Sequence, residues 1–266
     1  MINGQVVTTN PLQIPSLFGA DYATTSHLAF ILFSLMFVLA VLHENILGMS
    51  GEASYTNLFV RVLLVVSLLV FYEEFFRWIV YSLDLLADSI FSRSQYEDTL
   101  KAVFKAIEEE KDTGFLGWRF VIKGMNSVTQ HIALALLWVL RLLRFVLLSI
   151  LYIFGPLAVA ASVFSPAAKA VFFWLKSLVE VSLWRVLLSI LLKVISTMNL
   201  TAIYYTENVN NVAVFAANIL FIVLLILVPL ISKQIVSGGT VGGSGSIALG
   251  VVAHTLSKLL PKRGHR

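Results

Sequence analysis

The chain has 266 residues, of which 58% are hydrophobic and 13% charged, and its mean hydropathy is +0.88. Soluble domains carry about 25% charged residues; roughly half that density cannot clothe a water-facing surface, so the composition points to an integral membrane protein. A net charge of +4 and a pI near 9.3 invite a nucleic-acid reading, but where the charges fall decides more than their sum. There is no cysteine, which excludes a disulfide framework or a Cys-based metal site and leaves the redox compartment open.

Taken in chain order, residues 1–27 stay polar until about His27 and lack a basic n-region, so they read as an extracytoplasmic segment and not as a signal peptide. A helix needs about 20 mostly apolar residues to cross the hydrocarbon core. Residues 28–83 hold two candidates, Leu28–Leu47 (interrupted near its end by His43 and Glu44) and Leu58–Val80. Residues 84–127 form a mixed-charge loop. Within it, Ser94 and Glu97 read as a capping box. Tyr96, Leu100, Val103, Phe104 and Ile107 follow at helical spacing, and Gly114 marks a stop. This amphipathic helix suits the membrane surface, a partner or the protein's own bundle.

Residues 128–231 hold three more spans: Ile132–Phe154 with an apolar extension to Phe164, Phe172–Ile195, and Val212–Ile231. Residues 232–266 close the chain. Ser237–Ser246 is a flexible Gly-rich linker. The following "IALGVVAHTLSKLLPKRGHR" reads as a short apolar helix with a basic end, suited to an anionic leaflet or a neighbouring subunit. The fold class expected is therefore all-α, a polytopic bundle of about five transmembrane helices.

Orientation follows Lys and Arg in short connections. The tail carries Lys233, Lys258, Lys262, Arg263 and Arg266 with no acid, and the link before the fourth span carries Lys169 and Lys176. The N-terminal segment and residues 198–211 each carry an acid and no base. Five crossings with the N-terminus outside and the C-terminus inside satisfy all four, although the turn with Glu44 and Glu52 fits poorly.

Signs of chemistry are few. "GGTVGGSGS" lacks the Lys that a phosphate-binding P-loop needs after its glycines. "HEN" at His43–Asn45 begins like a zinc-protease motif, but its second His is replaced by Leu47. No catalytic residues, no metal and no cofactor are expected. Charge inside the spans stands out instead: Arg141 and Arg144 in the third, Glu180, Arg185 and Lys193 in the fourth, and Glu73, Glu74 and Arg77 in the second. A charge at the bilayer centre costs about 2.5–3.5 kcal/mol on insertion scales, so it faces a bundle interior, a wet cavity or a partner. Glu73–Arg77 and Lys176–Glu180 have the spacing that pairs side chains on one helix face; end-lying residues can also snorkel. Arg185 reads as the deepest charge without an intrahelical partner, since Glu180 lies about 140° round the helix. It is expected to face a neighbouring helix, a neighbouring subunit or a watery lumen, with the last two favoured.

"GPLAVAASVFSP" at residues 155–166 puts two helix breakers into an apolar run. Residues 132–164 would make about 50 Å of helix, well beyond a core of about 30 Å. Pro156 is expected to kink or break that helix with Gly155 giving room, and Pro166 to end the extension. Backbone groups freed at membrane depth are tolerated only against protein or water, so this segment should be buried in an assembly.

The string from Gly155 to Ile195 resembles the hallmark region of TrbL-type (VirB-six) polytopic inner-membrane proteins of conjugation and type IV secretion machines. Gly155, Pro156, Phe164, Pro166 and Trp174 occupy the family's Gly-Pro, aromatic, Pro and Trp places. The loop after the second span is shorter than the periplasmic domain of some members. The resemblance implies a non-enzymatic, homo-oligomeric subunit of the bacterial inner membrane. Its implied partners are other secretion subunits, the lipid bilayer and, transiently, translocated DNA or protein. A small-solute transporter and a generic membrane scaffold are the alternatives.

Overall fold

The computed structural model describes residues 10–49, 54–92, 95, 118–197 and 211–238. These are all-helical, with no strand among them. A 3-10 turn, Pro11–Gln13, leads into α1 (Ile14–Leu17), α2 (Gly19–Met49), α3 (Tyr55–Val70), α4 (Tyr72–Ile90), α5 (Trp118–Ala161), α6 (Lys169–Thr197) and α7 (Asn211–Ser237). The second half of the N-terminal segment is thus helical, because α1 and the start of α2 occupy residues 14–27.

Three stretches are long and apolar enough to cross a membrane: Gly19–Met49, Gly124–Ala161 and Phe215–Ser237. They contain the first expected span, the third up to Phe154, and most of the fifth. The second expected span is divided. α3 ends at Val70, the next residue Phe71 leaves the helical region with φ −99° and ψ 18°, and α4 starts at Tyr72. The fourth is a helix of 29 residues, α6, but Lys176, Glu180, Arg185 and Lys193 along it keep it from being an apolar span.

The expected break at Gly155–Pro156 is corrected. α5 runs through Pro156 without interruption and ends at Ala161. Ser162, Val163 and Phe164 leave it through tighter bonds to the carbonyls of Val159, Ala160 and Ala161. Pro166 does not end α5 either; it sits in the 3-10 turn Ser165–Ala167 that leads into α6, where its fixed φ and missing N–H cost little. The polar "HEN" stretch fastens a corner. Glu44 Oε2 accepts from the Ser54 N–H at 3.0 Å, and the Tyr55 hydroxyl donates to Asn45 Oδ1 at 2.7 Å.

The charged loop is shorter than expected, since α4 reaches Ile90 and α5 begins at Trp118. Its amphipathic helix at residues 96–114, Ser94 and Glu97 lie outside the described residues, as do the Gly-rich linker from residue 239 and the tail helix. Just after α4, the Ser92 N–H donates to Gln95 Oε1 at 3.2 Å and the Gln95 N–H to Ser92 Oγ at 3.3 Å, the reciprocal pattern of a capping box.

The chain divides into two compact units, Met1–Leu86 with Val139–Ser182, and Ala87–Trp138 with Leu183–Arg266. In the first, Tyr72, Phe76, Leu148, Tyr152, Val159 and Leu178 are buried at the core. In the second, Leu137 and Leu225 are buried, and Asn218 Nδ2 donates to Thr129 Oγ1 at 3.3 Å.

Candidate functional site: a bracket on the Gly155–Pro156 turn of α5

Pro156 has no N–H, so the carbonyl four residues before it, on Tyr152, loses its helical donor. An unpaired carbonyl in an apolar core costs roughly 1–3 kcal/mol. α4 supplies the replacement. The Tyr72 hydroxyl lies 3.0 Å from the Tyr152 carbonyl oxygen and 2.9 Å from that of Leu151. Its single proton is shared between the two. The Trp174 indole N–H, from α6, donates to the Leu151 carbonyl at 2.9 Å. Two side-chain donors from two helices therefore close over two adjacent carbonyls of a third, which explains why α5 passes through its proline unbroken.

Gly155 is what lets the donors in. A Cβ there would fall inside the van der Waals radius of the Tyr72 hydroxyl and 2.6 Å from Trp174 Nε1. The glycine serves close approach, not a hinge. Around the bracket the rings pack tightly. Tyr22 of α2 stacks on Tyr152 (centroids 4.9 Å apart) and on Tyr72 (5.6 Å), and Tyr72 meets Trp174 at 5.4 Å. Tyr72 and Tyr152 are fully buried, and Trp174 nearly so.

Of the five expected motif residues, the structure brings Gly155, Pro156 and Trp174 together. Phe164 and Pro166 lie instead in the α5–α6 connection. There Phe164 meets the ring of His43 edge-on at 5.8 Å, and Arg61 Nη1 reaches the Val163 carbonyl at 3.4 Å. Tyr72, the central donor, was missed. Its signal is three-dimensional, because 80 residues separate it from Tyr152.

Several of the charged residues find partners within the chain. Arg144 Nη2 lies 2.6 Å from Asp84 Oδ1, both side chains almost wholly buried. Arg185 Nη2 lies 2.6 Å from Asp88 Oδ1, with side chains 31% and 43% exposed. Arg185 is therefore not the isolated charge expected, and of its three candidate surroundings the structure gives a neighbouring helix. Asp84 and Asp88 stand one turn apart on α4, a spacing visible in "LDLLADS" that marks one helix face. Arg141 and Glu180 are half-buried, and each has an interaction partner. The expected Glu73–Arg77 pair forms at 2.6 Å on an exposed face.

Fold and site together define the class: an all-helical chain with three membrane-length apolar helices, whose proline-bearing α5 is closed by side chains of α4 and α6. Beyond the class, comparison with protein-family models, with characterised proteins and with solved structures returns no match.

Proposed function

We propose that the chain is a non-enzymatic subunit of a bacterial type IV secretion (conjugation) apparatus, forming part of an oligomeric translocation channel or pilus-assembly platform. It would lie in the inner membrane with about five crossings, the N-terminus periplasmic and the C-terminus cytoplasmic. It would assemble with copies of itself and other secretion subunits, and contact translocated DNA or protein in passage. The observation that carries the reading is the Gly155–Pro156…Trp174 string. Trp174 donates to the Leu151 carbonyl across the space that Gly155 leaves open, beside the carbonyl that Pro156 frees, so the spacing that resembles the TrbL-type hallmark also has a physical reason to recur as a set.

The test is conjugative transfer from a donor lacking this chain, complemented in trans by wild type or by a Gly155→Ala variant. Wild type restores transfer and the variant does not, with its membrane abundance measured in parallel. Unaltered transfer in the deletion strain ends the secretion reading. A solute transporter is the alternative, and the interruption at Phe71 favours it, because transporters bind substrate at discontinuous helices. Against it, the Phe71 N–H donates to Ser67 and its carbonyl accepts from Phe75, each at 3.0 Å, which leaves little free backbone there for a solute.

A further inference from the structure

The first compact unit holds two charges that its own packing leaves alone. Glu74 of α4 is exposed and Lys176 of α6 is half-buried. Among the described residues, neither has a hydrogen-bond or ion-pair partner. Lys176 does not use the four-residue spacing that suits it to Glu180, and Arg77, one turn from Glu74, is taken by Glu73.

Their place along the helices makes this costly. α4 runs antiparallel to α5, with Tyr72 against Leu151 and Tyr152, and Asp84 against Arg144. Glu74 therefore lies beside α5 residues 145–150, a stretch without charge inside the membrane-length helix Gly124–Ala161. α6 folds back along α5 in the same direction as α4, and its Trp174 also reaches the Leu151 carbonyl. Glu74 is two residues beyond Tyr72 and Lys176 two beyond Trp174, so the two charges stand level on separate helices. A bare charge in hydrocarbon costs more than an acid gains in the first turn of a helix, where Glu74 sits. Lys176 has a long stem with which to reach headgroups, but Glu74 has a short one. Each charge has exposed rings one turn away: Trp78 after Glu74, and Phe172 and Phe173 before Lys176. Aromatic side chains of this kind are enriched where proteins dock.

We propose that Glu74 of one copy of this chain pairs with Lys176 of a neighbouring copy, the outer face of α4 docking on the outer face of α6. A bilayer holds every copy at one depth and in one orientation. Two groups can therefore meet across a rotationally symmetric interface only if they stand at the same level, as these do. The two faces differ, so the contact is head-to-tail and repeats from copy to copy. The inference deepens the self-assembly in the proposed function and rests on that part of it, not on secretion.

Because the chain has no cysteine, full-length Glu74→Cys and Lys176→Cys chains with different epitope tags can be co-expressed and oxidised in native membranes. The mixed dimer should form in clear excess over either like-with-like dimer. Charge reversal supplies a second readout, oligomer mass in mild detergent. Glu74→Lys or Lys176→Glu alone should weaken association about tenfold or more, because like charges facing each other across an interface cost at least that much. The double reversal Glu74→Lys/Lys176→Glu should restore it. A wild-type chain that stays monomeric would overturn the proposal. So would oligomers indifferent to either reversal, a double reversal no better than the single ones, or cross-links only between like cysteines. Where a reversed chain is not produced, the cross-link between the cysteine variants decides. Transfer is not a readout here: unaltered conjugation in the deletion strain ends the secretion reading alone, and a failed pairing leaves that deletion test standing.

Discussion

Two ion pairs of the same length, 2.6 Å, rise from Asp84 and Asp88 on α4, yet they differ in surroundings. Asp84–Arg144 is dry, whereas Asp88–Arg185 is about one-third exposed. Contact distance is thus a poor guide to what a pair contributes. A buried charge stripped of its partner is strongly destabilising, while an exposed pair competes with water and salt. The contrast is open to direct test.

The largest effect is expected from Arg144→Leu, which takes its ion-pair partner from the buried Asp84 carboxylate. Unfolding in detergent should show a loss of about 3–5 kcal/mol. The double variant Asp84→Leu/Arg144→Leu should recover most of it, since removing both charges also removes their desolvation cost. A double variant no more stable than Arg144→Leu would show that the pair is not the reason.

Next come the variants of the bracket, which is equally dry but uncharged. Gly155→Ala drives a Cβ into the Tyr72 hydroxyl and Trp174, and overpacking of this kind costs about 1–3 kcal/mol on top of the displaced hydrogen bonds. Tyr72→Phe removes only the hydroxyl group, leaves the Tyr152 carbonyl without that donor and should cost about 1–2 kcal/mol. Thermal denaturation in the same detergent should rank Gly155→Ala as the more damaging. The reverse order would mean that close approach is not the glycine's role.

Arg185→Leu should cost about 1 kcal/mol or less, given the pair's exposure. Its effect should shrink as salt is raised, because exposed pairs are screened. Membrane abundance should fall slightly if pairing with Asp88 is the residue's whole role. Abundance unchanged with transfer abolished would restore the lumen reading. Smallest of all, Arg77→Ala removes an exposed pair one turn apart on α4, worth about 0.2–0.5 kcal/mol, and its melting temperature should be nearly that of wild type.

Much of the helical architecture was legible because membrane-length apolar runs leave few alternatives. α2, α5 and α7 each contain an expected span. The interruption at Phe71 was not legible, since residues 58–80 contain no Gly or Pro to announce it. Pro156 misled for a different reason. Local rules correctly state that a proline frees a carbonyl, but they cannot see a hydroxyl 80 residues away that accepts the task. The partner of Arg185 was hidden similarly: Asp88 had been read as part of a loop, and only the extension of α4 to Ile90 brings its carboxylate onto a helix face. Within the site, Gly155, Pro156 and Trp174 could be singled out as a string, but their roles as notch, exposed acceptor and donor needed the fold.

The bracket also bears on how the chain is made. Tyr72 precedes the Tyr152 carbonyl by 80 residues, and Trp174 follows Leu151 by only 23. During synthesis, then, one donor has already been made when the proline-bearing turn emerges, and the second arrives about one helix later. α5 need not wait in lipid with a bare carbonyl; it can meet α4 as it inserts, with α6 closing behind it. The vectorial order of translation thereby matches the order in which the backbone needs its partners, and a circularly permuted chain in which α5 preceded α4 would lose that advantage while keeping every final contact.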